Sequence, residues 1–374
     1  MPFTFAPQVI YTSDGSPRQT INKTRAGTGP ITPLLRWIAA ARAWRRGKTL
    51  RAFRIPRWFR AALVALCATV LAAACSSASG TTAGGSGGSG NKMHPGWPTT
   101  LVYGAVGQES ATAVLQSLAP LQDLLKAKLG IHLTVVTGTS YAAMIEAQQA
   151  GKAQLIEYGP FSYTIARNSG LKIQNVGVVT FAPNTDGSYY SLGVVNPKLN
   201  PKVTSIKDFA GKKTCFSDPA STSGYLYPSY GLLKAGISPT TGVTPVFAGT
   251  DSTAPLDVAK GSCQVGFTNT DSLPTIFTQN HIPRSDIKIV WTSPKIPGSP
   301  VAASDSLPAS LRTALENVLV SDANSAYYAA HHYCSSVTAC TNITGQYGFA
   351  SPSVANYSLI TQICDITKSP SCKA

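Results

Sequence analysis

The stretch best suited to chemistry is DPASTSGYLYP, residues 218–228. Three consecutive hydroxyl residues, Ser221, Thr222 and Ser223, precede Gly224, directly after the apolar run KKTCFS (212–217) and at the start of a segment with helical spacing. A helix start carries unpaired backbone N–H groups and partial positive charge, so hydroxyls placed there form an anion site that needs no lysine or arginine. Ser221 alone would read as an N-cap; three hydroxyls in a row after a strand favour the anion. Four further polar residues stand just beyond apolar runs: Tyr141 after HLTVVTG (132–138), Tyr158 at the end of QLIEYG (154–159), Asp251 after TPVFAG (244–249) and Asp271 after QVGFTN (264–269). A phenol can donate to an oxyanion, and a carboxylate can accept from a protonated oxyanion or an amine. Each has a plain structural role open to it, as a packing aromatic or a helix cap, and only their joint placement points to one site.

The elements that must position these residues alternate in type. LVYGAVG (101–107) reads as a strand, and Ser110 can cap a helix in which Val114, Leu115, Leu118, Leu121, Leu125 and Leu129 recur at three- and four-residue steps before Gly130. The strand 132–138 follows, then a helix from Ser140 to Gly151 and the strand 154–159. This βαβαβ order predicts an α/β fold with a parallel sheet and a ligand at the carboxyl ends of its strands. The alternation restarts after SYYSLGVVNP (188–197) with the strand 212–217, a helix from about Ser221 to Ala235, the strand 244–249 and the strand 264–269. Two lobes with a cleft between them are expected, lobe 1 from 99–187 and 275–374 and lobe 2 from 188–274. A long helix from Pro308 to about Ala330 and the segment 353–366 would return to the first lobe.

Composition excludes disorder as a class, because 43% hydrophobic against 13% charged residues describes a chain with apolar surface to bury. The net charge of +15 is concentrated: residues 1–74 hold 12 Lys and Arg against one acidic residue, which leaves only +4 for the rest and gives no argument for nucleic acid. Arg51, Arg54, Arg57 and Arg60 precede the apolar run ALVALCATVLAA (62–73), of signal-peptide length. It ends in Leu71-Ala72-Ala73-Ala74-Cys75, which resembles a bacterial lipobox, with Ala72 where Leu is usual. Cleavage before Cys75 and lipidation of its sulfur would follow, and the alternative is ordinary cleavage after Ala74. Either way residues 1–74 are a basic extension and signal peptide, and the protein is exported. Residues 75–98 hold a Gly/Ser linker that would let a folded domain stand off the outer face of the cytoplasmic membrane.

Export makes disulfides of the remaining cysteines. Local spacing suggests Cys334–Cys340 and Cys364–Cys372, with Cys215–Cys263 joining two strands. His331 and His332 beside Cys334 offer a competing metal site, but no zinc spacing occurs, and neither metal nor cofactor is expected.

At these residues the chain resembles the phosphonate-binding (PhnD-type) solute-binding proteins of ABC importers. The resemblance runs from about residue 100 to 320, through TSYAAMIEAQQAGKAQLIEYGPFSY (139–163), DFAGKKTCFSDPASTSGYLYP (208–228), AGTDSTAPLDVAKGSCQVGFTNTDSL (248–273) and VWTSPKIPGSP (290–300). It implies a type II periplasmic-binding-protein fold, a monomer without catalytic residues that closes two α/β lobes on a small ligand. Delivery would be to a membrane permease driven by a cytoplasmic ATPase. Ser221, Thr222 and Ser223 match the phosphonate-cradling turn, Tyr141 and Tyr158 the tyrosines of the first lobe, and Asp271 an acidic contact. Thr250, before Asp251, stands where family members often have His, and Ser299 stands where aminoalkylphosphonate binders can place a carboxylate. The ligand expected is therefore phosphate, phosphite or a small phosphonate without an ammonium group. A phosphate-ester hydrolase is the enzymatic alternative, but none of the five histidines falls in a strand-end cluster and there is no P-loop or H-E-x-x-H. A ligand sensor for a membrane partner is the other alternative.

Overall fold

The computed structural model describes residues 91–106, 111–279 and 282–373; the segment 1–74, Cys75, the linker to residue 90 and the Ser110 cap lie outside them. The alternating pattern of the first lobe becomes β1 (Thr100–Val106), α1 (Ala111–Leu129), β2 (His132–Gly138), α2 (Tyr141–Gln149), β3 (Leu155–Glu157), α3 (Pro160–Asn168) and β4 (Ile173–Thr180). Leu118, Leu121, Leu124, Leu125 and Leu129 of α1 are buried together against β1, which is why the helix forms despite Pro120 in its interior. Gly130 ends it at φ +65°, a left-handed conformation that costs glycine no strain.

The second lobe holds β5 (Ser191–Val195), β6 (Lys213–Phe216), a π-helical turn (Thr222–Leu226), α4 (Tyr227–Lys234), β7 (Thr244–Phe247), α5 (Thr253–Ala259), β8 (Val265–Asn269), α6 (Ser272–Gln279) and β9 (Lys288–Thr292). The chain then returns through β10 (Pro300–Ser304), α7 (Ala309–Ser321), α8 (Ser325–Ala330), α9 (Val337–Thr344), β11 (Gly348–Ala350) and α10 (Ser358–Thr367). The single helix expected from Pro308 to Ala330 is broken, because Asn324 caps α8 by accepting from the Tyr327 N–H at 2.9 Å.

Two sheets result, ordered β11-β4-β10-β3-β1-β2 and β7-β6-β8-β5-β9. Both are mixed rather than purely parallel: β1 runs parallel to β2 and β3, and β6 parallel to β7 and β8, while β10 runs antiparallel to β3 and β4, and β5 antiparallel to β8 and β9. The return to the first lobe comes later than residue 275, because β9 pairs with β5 and belongs to the second sheet. The two crossings, 181–190 and 293–299, bond to each other. Tyr189 N–H donates to the Ile296 carbonyl at 3.0 Å and Ile296 N–H to the Tyr189 carbonyl at 2.8 Å. This paired ribbon joins the two lobes.

The core of lobe 2 is aromatic, with Phe209, Phe216 and Phe267 fully buried on one face of its sheet. Cys215, Val258 and Cys263 fill the other face. The disulfides are Cys215–Cys263, Cys334–Cys340 and Cys364–Cys372, the three pairs that spacing suggested. Ile360 and Ile363 of α10 share a cluster with Phe161 of α3 and with Leu226 and Tyr227, so the C-terminal helix packs on both lobes close to the hydroxyl-rich turn.

Candidate functional site

β6 ends at Phe216 and the chain turns through Ser217–Ser221 into the π-helical turn, a helix form that recurs at functional sites. Ser221 caps that turn by accepting from the Gly224 N–H at 3.0 Å, and the Leu226 N–H reaches back to the Ser221 carbonyl at 3.0 Å. Ser217 and Gly224 close the loop through an N–H to carbonyl bond of 3.2 Å. Gly224 is required for packing: a Cβ there would fall on the Ser217 side chain and 2.5 Å from Asp251 Oδ1. Ser217 Oγ donates to that Asp251 oxygen at 2.7 Å, and the Asp251 carbonyl accepts from Thr268 Oγ1 at 2.8 Å. Asp251 thus underpins the turn.

Thr222, only 1% exposed, is the meeting point of the lobes. Its Oγ1 accepts from the Phe161 N–H at the start of α3 at 2.9 Å, and the Tyr189 phenol stands near the Thr222 and Ser299 side chains. The Tyr141 hydroxyl lies 3.7 Å from where a Cβ on Gly159 would stand, with Thr222 Oγ1 2.9 Å from the same point. Burial pushes the Tyr141 phenol well up, helped by the Asp251 carboxylate; burial, then Asp251 and Asp271, does the same to Tyr189. Both phenols therefore keep their protons and remain donors.

Ser223 is held in place at two atoms: its Oγ accepts from Asn269 Nδ2 at 3.3 Å, and its carbonyl accepts from Ser191 Oγ. Asn269 also accepts from the backbone N–H groups of Asp271 and Ser272, at 3.1 and 2.7 Å, and so sets the carboxylate of Asp271 at the end of β8. Burial raises the Asp271 carboxyl to about 7 against a weak opposing hydrogen bond from Thr270.

Tyr141, Ser221, Thr222, Ser223, Asp251 and Asp271 are brought around one turn, joined by Tyr189, Ser217 and Ser299. Tyr158 is not among them. Its hydroxyl donates to Gln148 Oε1 at 3.0 Å, and its ring, as buried as Thr222, packs in the cluster that Tyr141, Ala220 and Leu226 share across the lobes. Thr250 is turned to local work, its Oγ1 accepting from the Thr253 N–H at 3.0 Å at the start of α5. His331 stacks on Tyr327 and Cys334 is in its disulfide.

The elevated Asp271 carboxyl makes a prediction for stability. A carboxyl whose folded value exceeds its unfolded value stabilises the folded state most at low pH, and this contribution is lost as pH rises from about 4 to about 7, by up to roughly 4 kcal/mol. Asp271→Asn removes that dependence. Thermal melts of ligand-free protein from pH 5 to 8 should show the variant gaining on the wild type up to about pH 7 and holding that gain above it; parallel curves below pH 7 would mean that burial does not hold the carboxyl up.

Comparison with known proteins gives a consistent group. Residues 103–353 match the family model described as "ABC transporter, phosphonate, periplasmic substrate-binding protein". The chain is 30% identical over 320 residues, 83% of its length and 97% of the relative's, to the phosphate-import protein PhnD of Mycolicibacterium smegmatis. It is 31% identical over 209 residues, 54% of its length and 60% of the relative's, to the phosphonates-binding periplasmic protein of Escherichia coli. Its fold is similar to that of PhnD1 from Prochlorococcus marinus in complex with methylphosphonate, at a TM-score of 0.60 and 18% identity, over 72% of this chain and 99% of that one.

Proposed function

We propose, for a chain that belongs to the family of periplasmic phosphonate-binding proteins of ABC transporters, that its cleft captures a small phosphorus oxyanion bearing a P–OH group. Membership makes it a substrate-binding protein of a type II periplasmic-binding-protein fold, not an enzyme. Delivery to a membrane permease follows from that class. Lipidation at Cys75 would hold it at the outer face of the cytoplasmic membrane.

The observation that carries the choice of ligand is the pairing of hydroxyl donors with a carboxyl that titrates near neutrality. Thr222, Tyr141 and Tyr189 can donate to oxyanion oxygens, and the set contains neither lysine nor arginine. Above about pH 7, where its carboxyl has given up its proton, Asp271 would repel an anion unless the ligand brings the proton, which selects a species with a P–OH. Phosphate, phosphite and phosphonates can supply one near neutrality, whereas sulfate cannot. At Ser299 a hydroxyl near Tyr189 stands in place of a carboxylate, so that position offers no charged partner for a ligand ammonium group. The M. smegmatis relative, named for phosphate import, and the P. marinus protein, complexed with methylphosphonate, support the same ligand class.

The test is anion selectivity. Asp271→Asn should bind sulfate at least about tenfold more tightly than the wild type, because an amide can donate where the carboxylate repels. A folded variant that excludes sulfate as strictly as the wild type would remove proton-based selection from the account.

A further inference from the structure

Charge in the second lobe is sorted between the two ends of its sheet. Residues 188–299 hold ten Lys and Arg against six Asp and no Glu, whereas 99–187 and 300–374 together hold eight against nine acidic residues. Three of the six aspartates, Asp218, Asp251 and Asp271, follow the carboxyl ends of β6, β7 and β8 and lie at the cleft end. The cations gather at the opposite end. Lys213 opens β6, and Lys288 opens β9, level with Val195 at the end of β5. The loop after β5 carries Lys198 and Lys202, and Asn196 ties it to the end of α5, beside Lys260, by donating to the Ala259 carbonyl at 2.8 Å. Lys234 closes α4, which starts beside the cradle turn and leads back to β7. All six are exposed, and among the described residues only Lys198 of the six has a carboxylate partner, Asp286 at 2.6 Å. Leu199, 55% exposed, stands between Lys198 and Lys202, its Cδ1 2.9 Å from where a Cβ on Gly261 would lie, next to Lys260. Ile289, 47% exposed, follows Lys288.

Like charges crowded at one pole repel one another, and an anionic surface facing them relieves that repulsion. Nine of the ten cations in 188–299 are lysines. Lysines are point charges that suit a diffuse array of phosphates, whereas fixed carboxylates on a protein partner favour the arginine fork. Exposed apolar side chains among them add the second signal that stable attachment to a bilayer requires. The class to which the chain belongs works beside a membrane transporter, so a bilayer lies within reach. We infer that this pole of the second lobe docks on an anionic phospholipid surface, with Lys198, Lys202, Lys213, Lys260 and Lys288 over the headgroups and Leu199 at their level. The carboxylates at the cleft end are then the part of the lobe farthest from the lipid phosphates, and the cradle is kept clear of lipid.

The experiment is amide hydrogen exchange, read by segment, on the protein mixed with phosphatidylcholine vesicles with and without about 30% phosphatidylglycerol. It does not depend on which anion the cleft takes, and reading by segment separates this surface from the basic stretch 1–74. Exchange in 196–203 and 259–264 should slow at least about threefold on the anionic vesicles at about 0.05 M salt, with α1 unchanged, and the effect should vanish at about 0.5 M salt. The triple variant Lys198→Gln, Lys202→Gln, Lys260→Gln should lose that slowing, at about fivefold in affinity for each charge removed. Exchange at the pole within about 1.5-fold of its lipid-free value on anionic vesicles would overturn the docking surface, as would equal slowing on neutral vesicles or slowing that survives the triple variant. Slowing by polyglutamate but not by vesicles would assign the pole to an acidic polypeptide and overturn the membrane as its partner.

Discussion

Gly224→Ala should abolish anion binding while the rest of the protein stays folded. The added methyl group would occupy the position of the Ser217 side chain and crowd Asp251, two residues whose 2.7 Å hydrogen bond fixes the floor of the turn. Neither can retreat freely. Ser217 is held by its N–H bond to the Gly224 carbonyl, and Asp251 by Thr268. Overpacking a buried site costs about 1–3 kcal/mol or more, and here the cost would be met by displacing Ser221, Thr222 and Ser223 together. Binding below detection by calorimetry, with a melting temperature lowered by several degrees, is the expected pair of results. Affinity close to wild type would mean that the turn is not the anion cradle.

Thr222→Val should weaken binding by about 2–4 kcal/mol, between roughly thirtyfold and a thousandfold. Valine keeps the shape and removes the hydroxyl, so two partners lose it at once: the ligand oxyanion and the Phe161 N–H. A charge-assisted bond to the anion accounts for about half of the effect, and a buried N–H left without an acceptor for the rest. Thr222→Ser keeps the hydroxyl and should recover most of the affinity. Equal losses in the serine and valine variants would show that the methyl group, not the hydroxyl, matters, and would take Thr222 out of the donor set.

The hydroxyl-rich turn was legible because its signals are local. KKTCFS is a strand, STSG a helix start, and nothing beyond a dozen residues is needed to place three hydroxyls at a strand end. The disulfides were legible for the same reason in two of three pairs, Cys334–Cys340 and Cys364–Cys372, which are six and eight residues apart. Tyr158 was placed at a strand end, and the strand's alternation gives its face. On β3 the faces alternate, Leu155 facing one core cluster and Ile156 the other, and the same alternation sends Tyr158 inward with Ile156.

Tyr189 and the second crossing had no local signal. Tyr189 reaches the site because its backbone pairs with Ile296, more than a hundred residues later, and β9 joins lobe 2 by pairing with β5 across a similar separation. What the sequence pattern could not carry was which distant segments meet, and the cleft is built from those meetings.

The most direct test of the central claim is isothermal titration of the purified protein, stripped of bound ligand by unfolding and refolding. Phosphate, phosphite, methylphosphonate, aminoethylphosphonate and sulfate form the panel. At least one of the first three should bind with micromolar affinity or better, aminoethylphosphonate should be weaker for want of a carboxylate at Ser299, and sulfate should give no heat of binding. Sulfate binding as tightly as the phosphorus oxyanions, or silence from all five in folded protein, would contradict a cleft that selects a P–OH oxyanion.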